Sequence, residues 1–125
     1  IRDLVVTGVQ KCALPIYPRN YEKDVKILKK LNVNFVFIPN KKQVYYFKRK
    51  KKIKLLKSQK ILCAKYRKGH FEGVIDVMDR LTKIIKPNKI FMGEKDFQQL
   101  YLVQKYIEKK YDCKIVPCKT IRDNN

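Results

Sequence analysis

The chain has 125 residues, 45% of them hydrophobic, which is enough for a globular core and too apolar for a disordered chain. Lys and Arg number 31 against 11 Asp and Glu, a formal net charge of +20. No apolar run can span a bilayer, and the opening Ile1-Arg2-Asp3 lacks the basic n-region of a signal peptide, so a cytoplasmic protein with no membrane partner is expected.

Seven of the bases fall in 48–57 and the rest are dispersed. A dispersed excess is a weak nucleic-acid footprint. Lys, Ile, Asn and Tyr, all abundant here, share A/T-rich codons, and that coding bias accounts for the charge better than a polyanion partner does. No specific nucleic acid is expected, and a small basic nucleic-acid-binding module led by 48–57 is the alternative reading. Cys12, Cys63, Cys113 and Cys118 form no CxxC pair, and His70 is the single histidine. The thiols are read as reduced and no metal site is assigned.

In chain order, Leu4-Val5-Val6 reads as an edge strand, with Gly8 in a turn. The surrounding residues 1–16 look like the conceptual translation of a sequencing adapter, so they are expected to be a foreign leader to a domain spanning 17–125. Tyr17-Pro18-Arg19-Asn20 opens a helix with Asn20 as cap, Glu22 in the first turn and an apolar stripe of Val25, Leu28 and Leu31. Asn34 to Pro39 is a near-continuous apolar strand, as expected of one covered on both faces. Residues 40–60 carry neither proline nor glycine and are read as a solvated basic excursion, held on one side by Ile53, Leu55 and Leu56. Val74, Val77, Met78, Leu81, Ile84 and Ile85 recur at helical spacing and predict a core-facing stripe ended by Pro87-Asn88.

Lys89 to Met92 predicts a short buried strand, and Leu100, Val103 and Ile107 a following helix. Between them, Gly93-Glu94-Lys95-Asp96 is a strand-to-helix turn. Glycine opens backbone angles closed to other residues, Asp96 is a good N-cap, and Lys95 adds charge where free helix N–H groups favour an anion. Gln99 either completes a capping box with Asp96 or faces a ligand. Lys114-Ile115-Val116, bracketed by Cys113 and Cys118, is the last strand. The alternation of helix and strand implies crossovers and a parallel sheet, whose ligands sit beyond the strand carboxyl ends.

Gly93-Glu94-Lys95-Asp96-Phe97-Gln98-Gln99-Leu100 resembles the nucleotide-binding signature of the pantothenate synthetase (pantoate–beta-alanine ligase) family. Arg67-Lys68-Gly69-His70-Phe71-Glu72-Gly73-Val74 resembles a second family motif, with Lys68 in place of the usual proline. Tyr17-Pro18-Arg19 and Thr120-Ile121-Arg122-Asp123 match at either end of the resemblance. The resemblance implies an incomplete Rossmann-like α/β nucleotidyltransferase domain, without the family's C-terminal domain. It implies ATP-dependent condensation of pantoate with beta-alanine through a pantoyl-adenylate, with Mg2+ accompanying ATP.

By the same resemblance, Gly93, Glu94, Lys95, Asp96 and Ile121 border ATP, Lys95 is the catalytic charge on the phosphates, and Gln99 binds pantoate. His70, Tyr17 and Asp24 line the site. Lys23 stands where a second acid is often found, so no metal ligand is carried over to that helix. A homodimer is implied for the full-length protein, and the 125 residues alone are expected to be inactive. Another adenylating nucleotidyltransferase of the same fold would explain the architecture but not Gln99.

Overall fold

In the computed structural model, residues 4–6, 21–49 and 51–122 are described, the first three by backbone only. The chain divides into two units, Ile1–Lys48 and Arg49–Asn125. Each contains one pair of parallel strands.

In the first unit, β1 (Leu4–Val6) pairs with β2 (Phe35–Phe37), Leu4 opposite Phe35 and Val6 opposite Phe37. The crossover carries α1 (Tyr21–Lys30), with Glu22 and Asp24 in its first turn and Lys29 and Lys30 in its last, both favourable to the helix dipole. Its end is closed by Asn32 in the left-handed conformation (φ 54°). Val33 N–H donates to Leu28 C=O and Asn32 N–H to Lys29 C=O, the paired bonds of a Schellman motif. The predicted stripe is only partly covered: Val25 and Leu28 are half-buried, whereas Leu31 is 68% exposed. The expectation that β2 is covered on both faces also fails, for Phe35 is exposed and Val36 and Phe37 are half-buried. Asn20, the expected cap, lies outside the described residues. After β2, α2 (Lys41–Val44) buries Val44 completely.

The second unit holds a continuous core. A 3-10 turn (Lys57–Gln59) and α3 (Cys63–Tyr66) lead to α4 (His70–Ile85), β3 (Lys89–Gly93), a 3-10 turn (Glu94–Asp96), α5 (Phe97–Lys110) and β4 (Lys114–Cys118). Strands β3 and β4 are parallel, joined through α5, with Lys89 opposite Lys114 and Gly93 opposite Cys118. One sheet face, Ile90, Met92 and Ile115, packs on Leu100, Val103 and Ile107 of α5 and on Phe71 and Ile75 of α4. On the other face Val116 is half-buried. Phe91, expected inside a buried strand, is 67% exposed because α4 and α5 supply cover to one face only.

The stripe predicted for α4 is displaced by part of a turn. The deepest positions are Phe71, Ile75, Asp79, Arg80 and Thr82, while Val74 and Met78 pack at the core's edge and Val77, Leu81, Ile84 and Ile85 stay half-buried. The helix is apolar around more than half its girth, so periodicity located it without deciding which side faces α5. It ends at Lys86 (φ 52°), whose N–H donates to Thr82 C=O at 2.8 Å, just before Pro87.

Two acids on the buried side of α4 organise the unit's charges. Asp79 is 1% exposed and accepts from Lys110 Nζ at 2.6 Å, from Tyr111 Oη at 2.9 Å and from Arg49 Nη2. Asp76 accepts from Arg49 Nε at 2.8 Å and from Arg80 Nε at 3.0 Å. Burial alone would raise the Asp79 pKa, but the bonds from Lys110, Arg49 and Tyr111 outweigh it and hold the carboxyl below its ordinary value. Burial opposes the charge on Lys110 and Arg49 as well, yet both are raised by the same carboxylate.

This cluster adds an anchor to the basic excursion of 40–60, whose described lysines Lys48, Lys51, Lys52, Lys54 and Lys57 are exposed as expected. Arg49 is tied down by two carboxylates, Leu55 is in the core and Ile53 packs against it, while Leu56 is exposed. The basic segment is therefore anchored at Arg49, Ile53 and Leu55.

Candidate functional site

The register of the second sheet sets the geometry of the site. Because Gly93 lies opposite Cys118, β3 and β4 end level, and the segments that leave them emerge side by side from one edge. Neighbouring strands are about 4.8 Å apart, so Glu94-Lys95-Asp96 and Lys119-Thr120-Ile121-Arg122 start as neighbours. This is the carboxyl edge of a parallel sheet, where ligands of such folds gather. Glu94, Lys95, Asp96, Lys119, Ile121 and Arg122 are all exposed there. Ile121 is 94% exposed, so its side chain is not committed to the core. Beside the turn, Glu94, Phe97, Leu100, Tyr101, Gln104 and Pro117 line an open groove.

Two local expectations for the turn are corrected. Gly93 has φ −67° and ψ 138°, ordinary extended angles, so no left-handed backbone requires the glycine. A Cβ placed on it would meet nothing within 4 Å. What glycine provides here is a bare backbone at the strand end. Asp96 occupies the N-cap position of α5, but no side-chain cap hydrogen bond forms. The carboxylate is left exposed, and no capping box closes between Asp96 and Gln99. Gln99 stays half-buried one turn into the helix.

His70 is the first residue of α4, behind Gly69, whose left-handed φ of 77° is a conformation that other side chains rarely adopt. Its N–H donates to Arg67 C=O at 3.1 Å, and its ring meets Phe71 edge-on with centroids 5.0 Å apart. Partial burial, and after it the Arg67 guanidinium, push the imidazole below its ordinary pKa against the opposing pull of the Asp96 carboxylate. His70 and Asp96, from two separate sequence motifs, thus act on one another.

The structure brings together the Gly93–Asp96 turn, the 119–122 segment, His70 and the start of α5. Asp24 is exposed in the first turn of α1, in the other unit, and Tyr17 lies outside the described residues. Among the described residues, no three His, Cys, Asp or Glu side chains converge on a point that could hold a metal. Sequence reasoning missed the Asp76–Asp79 cluster, although two acids three residues apart on an apolar helix were a signal for it. It also missed Gln98, whose Nε2 donates to Ile61 C=O at 2.7 Å and reaches Gln59 C=O at 3.5 Å. Nothing local distinguishes Gln98 from its neighbour.

The family model described as pantoate-beta-alanine ligase matches residues 9–125. The chain belongs to this family. It is 42% identical over 117 residues to the bifunctional pantoate ligase/cytidylate kinase of Prochlorococcus marinus subsp. pastoris, covering 90% of this chain and 23% of that one. It is 36% identical over 110 residues to the pantothenate synthetase of Caldicellulosiruptor saccharolyticus, covering 87% and 39%. Among solved structures, a pantoate-beta-alanine ligase from Francisella tularensis, complexed with beta-gamma ATP and beta-alanine, superposes with a TM-score of 0.88 at 31% identity. That likeness covers 98% of this chain and 50% of the other. The chain thus spans half or less of the relatives it matches. The nucleotidyltransferase-like fold is shared, and the parallel strands with helical crossovers agree with it. No described helix is long and apolar enough to cross a membrane.

Proposed function

We propose that this chain forms part of an enzyme that condenses pantoate with beta-alanine at the expense of ATP. A pantoate carboxylate oxygen attacks the α-phosphorus of ATP, giving pantoyl-adenylate and releasing pyrophosphate. The amine of beta-alanine then attacks the acyl carbon, loses a proton and expels AMP. An ionised carboxylate needs no base to activate it, so positioning and charge neutralisation are the main demands on the protein.

The observation that carries this reading is the level ending of β3 and β4. It supports one mouth at which a bare Gly93 backbone, the exposed Lys95 and the uncapped Asp96 start beside the 119–122 segment. Lys95 would neutralise the phosphates and Asp96 would accept from the ribose. Glu94 and Gly93 would border the nucleotide, and the backbone at Ile121 would meet the base. Magnesium would enter with the triphosphate and neutralise part of its charge. His70 would line the same mouth, and Tyr17 and Asp24 are assigned to it by family resemblance alone. The same resemblance supports a homodimer and a cytoplasmic location for the complete protein.

Gln99 is the most specific assignment. As a pantoate ligand it must offer a neutral amide, because a carboxylate would repel the anion and lacks N–H donors. In the complete protein, Gln99→Glu is expected to keep stability within about 0.5 kcal/mol. It should slow pantoate-dependent ATP–pyrophosphate exchange by at least about tenfold, or about 1.4 kcal/mol. A stable variant that exchanges at the native rate removes Gln99 from the pantoate site.

A further inference from the structure

The segment from Gln59 to His70 runs beside the proposed nucleotide turn, and its backbone carries a strained residue. Leu62 sits at φ 50° and ψ −130°, angles that a branched side chain rarely adopts and that glycine takes freely. Such a conformation persists only where the surroundings over-determine it. The carbonyl immediately before it, that of Ile61, receives the Gln98 Nε2 at 2.7 Å, and the Gln59 carbonyl lies 3.5 Å from the same nitrogen. Both facing groups are acceptors, so only the NH2 end of the amide can point at them. That orientation leaves Gln98 Oε1 buried without a partner. A leucine or methionine would fill the space with no orphaned acceptor, so packing alone does not call for an amide here. Beyond Leu62 the chain turns through α3 to Gly69 and delivers His70 to the vicinity of Asp96.

We propose that Gln98 is a positioning residue: its amide fastens the Gln59–Ile61 carbonyls to the first turn of α5, next to the Gly93–Asp96 turn, holds the strained Leu62 backbone, and so fixes the approach of the chain through α3 to His70 at the start of α4. Its importance for catalysis rests on the nucleotide reading of that turn, whereas the test below uses no nucleotide, so each can fail without the other.

In the complete protein the ring protons of His70, assigned by their loss in His70→Gln, report on this arrangement. In Gln98→Met, which keeps the length and loses the donor, the strained backbone should relax. The NMR titration midpoint of His70 should then rise toward the ordinary histidine value as burial and the Arg67 contact loosen. Amide exchange should accelerate by about fivefold or more at Ala64, Lys65 and Arg67, whose N–H groups close the turns of this segment, while the buried turns of α4 and α5 stay protected. Adding Leu62→Gly, which takes the same angles without strain, should restore part of both signals. An unchanged midpoint in Gln98→Met overturns the proposal. So does exchange that rises evenly through α4 and α5, or a variant that fails to fold, since either makes the amide a core element.

Discussion

Asn40-Lys41-Lys42-Gln43 and Asp96-Phe97-Gln98-Gln99 share one spelling, a capping residue followed three positions later by glutamine. At the first, the capping box closes: Gln43 N–H donates to Asn40 Oδ1 at 2.9 Å, and Asn40 N–H donates to Gln43 Oε1 at 2.7 Å. At the second no side-chain cap bond forms, although α5 is the far longer helix and has more need of one. The difference lies in how the chain enters. Asn40 has the extended backbone of an ordinary N-cap (φ −82°, ψ 168°), whereas Asp96 ends a 3-10 turn at ψ 62°, which is not the extended N-cap geometry. The first pair is consumed by local structure. The second leaves the Asp96 carboxylate exposed at the strand end, with Gln99 half-buried one turn into the helix.

The buried Asp79 is the extreme case of a polar group used wholly by the fold, and the largest effect is expected there. Asp79→Ala should cost about 3 kcal/mol in denaturant unfolding, because Arg49 loses one of its two carboxylates in a partly buried setting. The pH dependence has a definite sign. A carboxyl held below its unfolded value contributes stability that is complete above that value and is lost as pH falls through the folded one. The native chain should therefore lose this contribution as pH drops below about 4, and the variant's acid limb should be correspondingly flatter. Parallel acid limbs would show that Asp79 is not the group responsible.

A pair of cap substitutions divides the comparison directly. Asn40→Ala should lower stability by about 1 kcal/mol, the usual loss of a formed cap. Asp96→Ala should change stability by less than about 0.5 kcal/mol, since no cap bond is lost. In the complete protein it should nonetheless weaken ATP-dependent exchange by about tenfold, through the ATP KM. Equal losses of stability at the two sites would show that Asp96 caps α5 in solution and would reopen its assignment to the nucleotide.

The smallest effect is expected at the amino end. If residues 1–16 are a foreign leader, as we propose, deleting them should leave thermal stability within about 0.5 kcal/mol. The deletion removes β1 and its parallel pairing with β2, so a loss above about 2 kcal/mol would mark that strand as a native part of the sheet.

Much of the second unit was legible in the letters. Strands predicted at Lys89–Met92 and Lys114–Val116 are observed at Lys89–Gly93 and Lys114–Cys118, with helices between and before them. Hydrophobic period, glycine, proline and chain order are local signals, and they were sufficient to place the Gly93–Asp96 turn at a strand end. The family motifs singled out His70, Lys95, Asp96 and Gln99 as candidates, while the structure gives their surroundings and leaves their roles to the experiments above.

Tertiary structure alone decided which groups are committed to the fold and which are left open. The buried side of α4, the binding of Arg49 by Asp76 and Asp79, and the grip of Gln98 on Ile61 all join residues 27 to 37 positions apart. No local period encodes such partners. Asp96 and Asn40 could not be told apart by their neighbours, because a cap closes or stays open according to the backbone angle at which the preceding chain arrives. At Asp96 that chain is a 3-10 turn leaving a strand whose register is set against β4, more than twenty residues away.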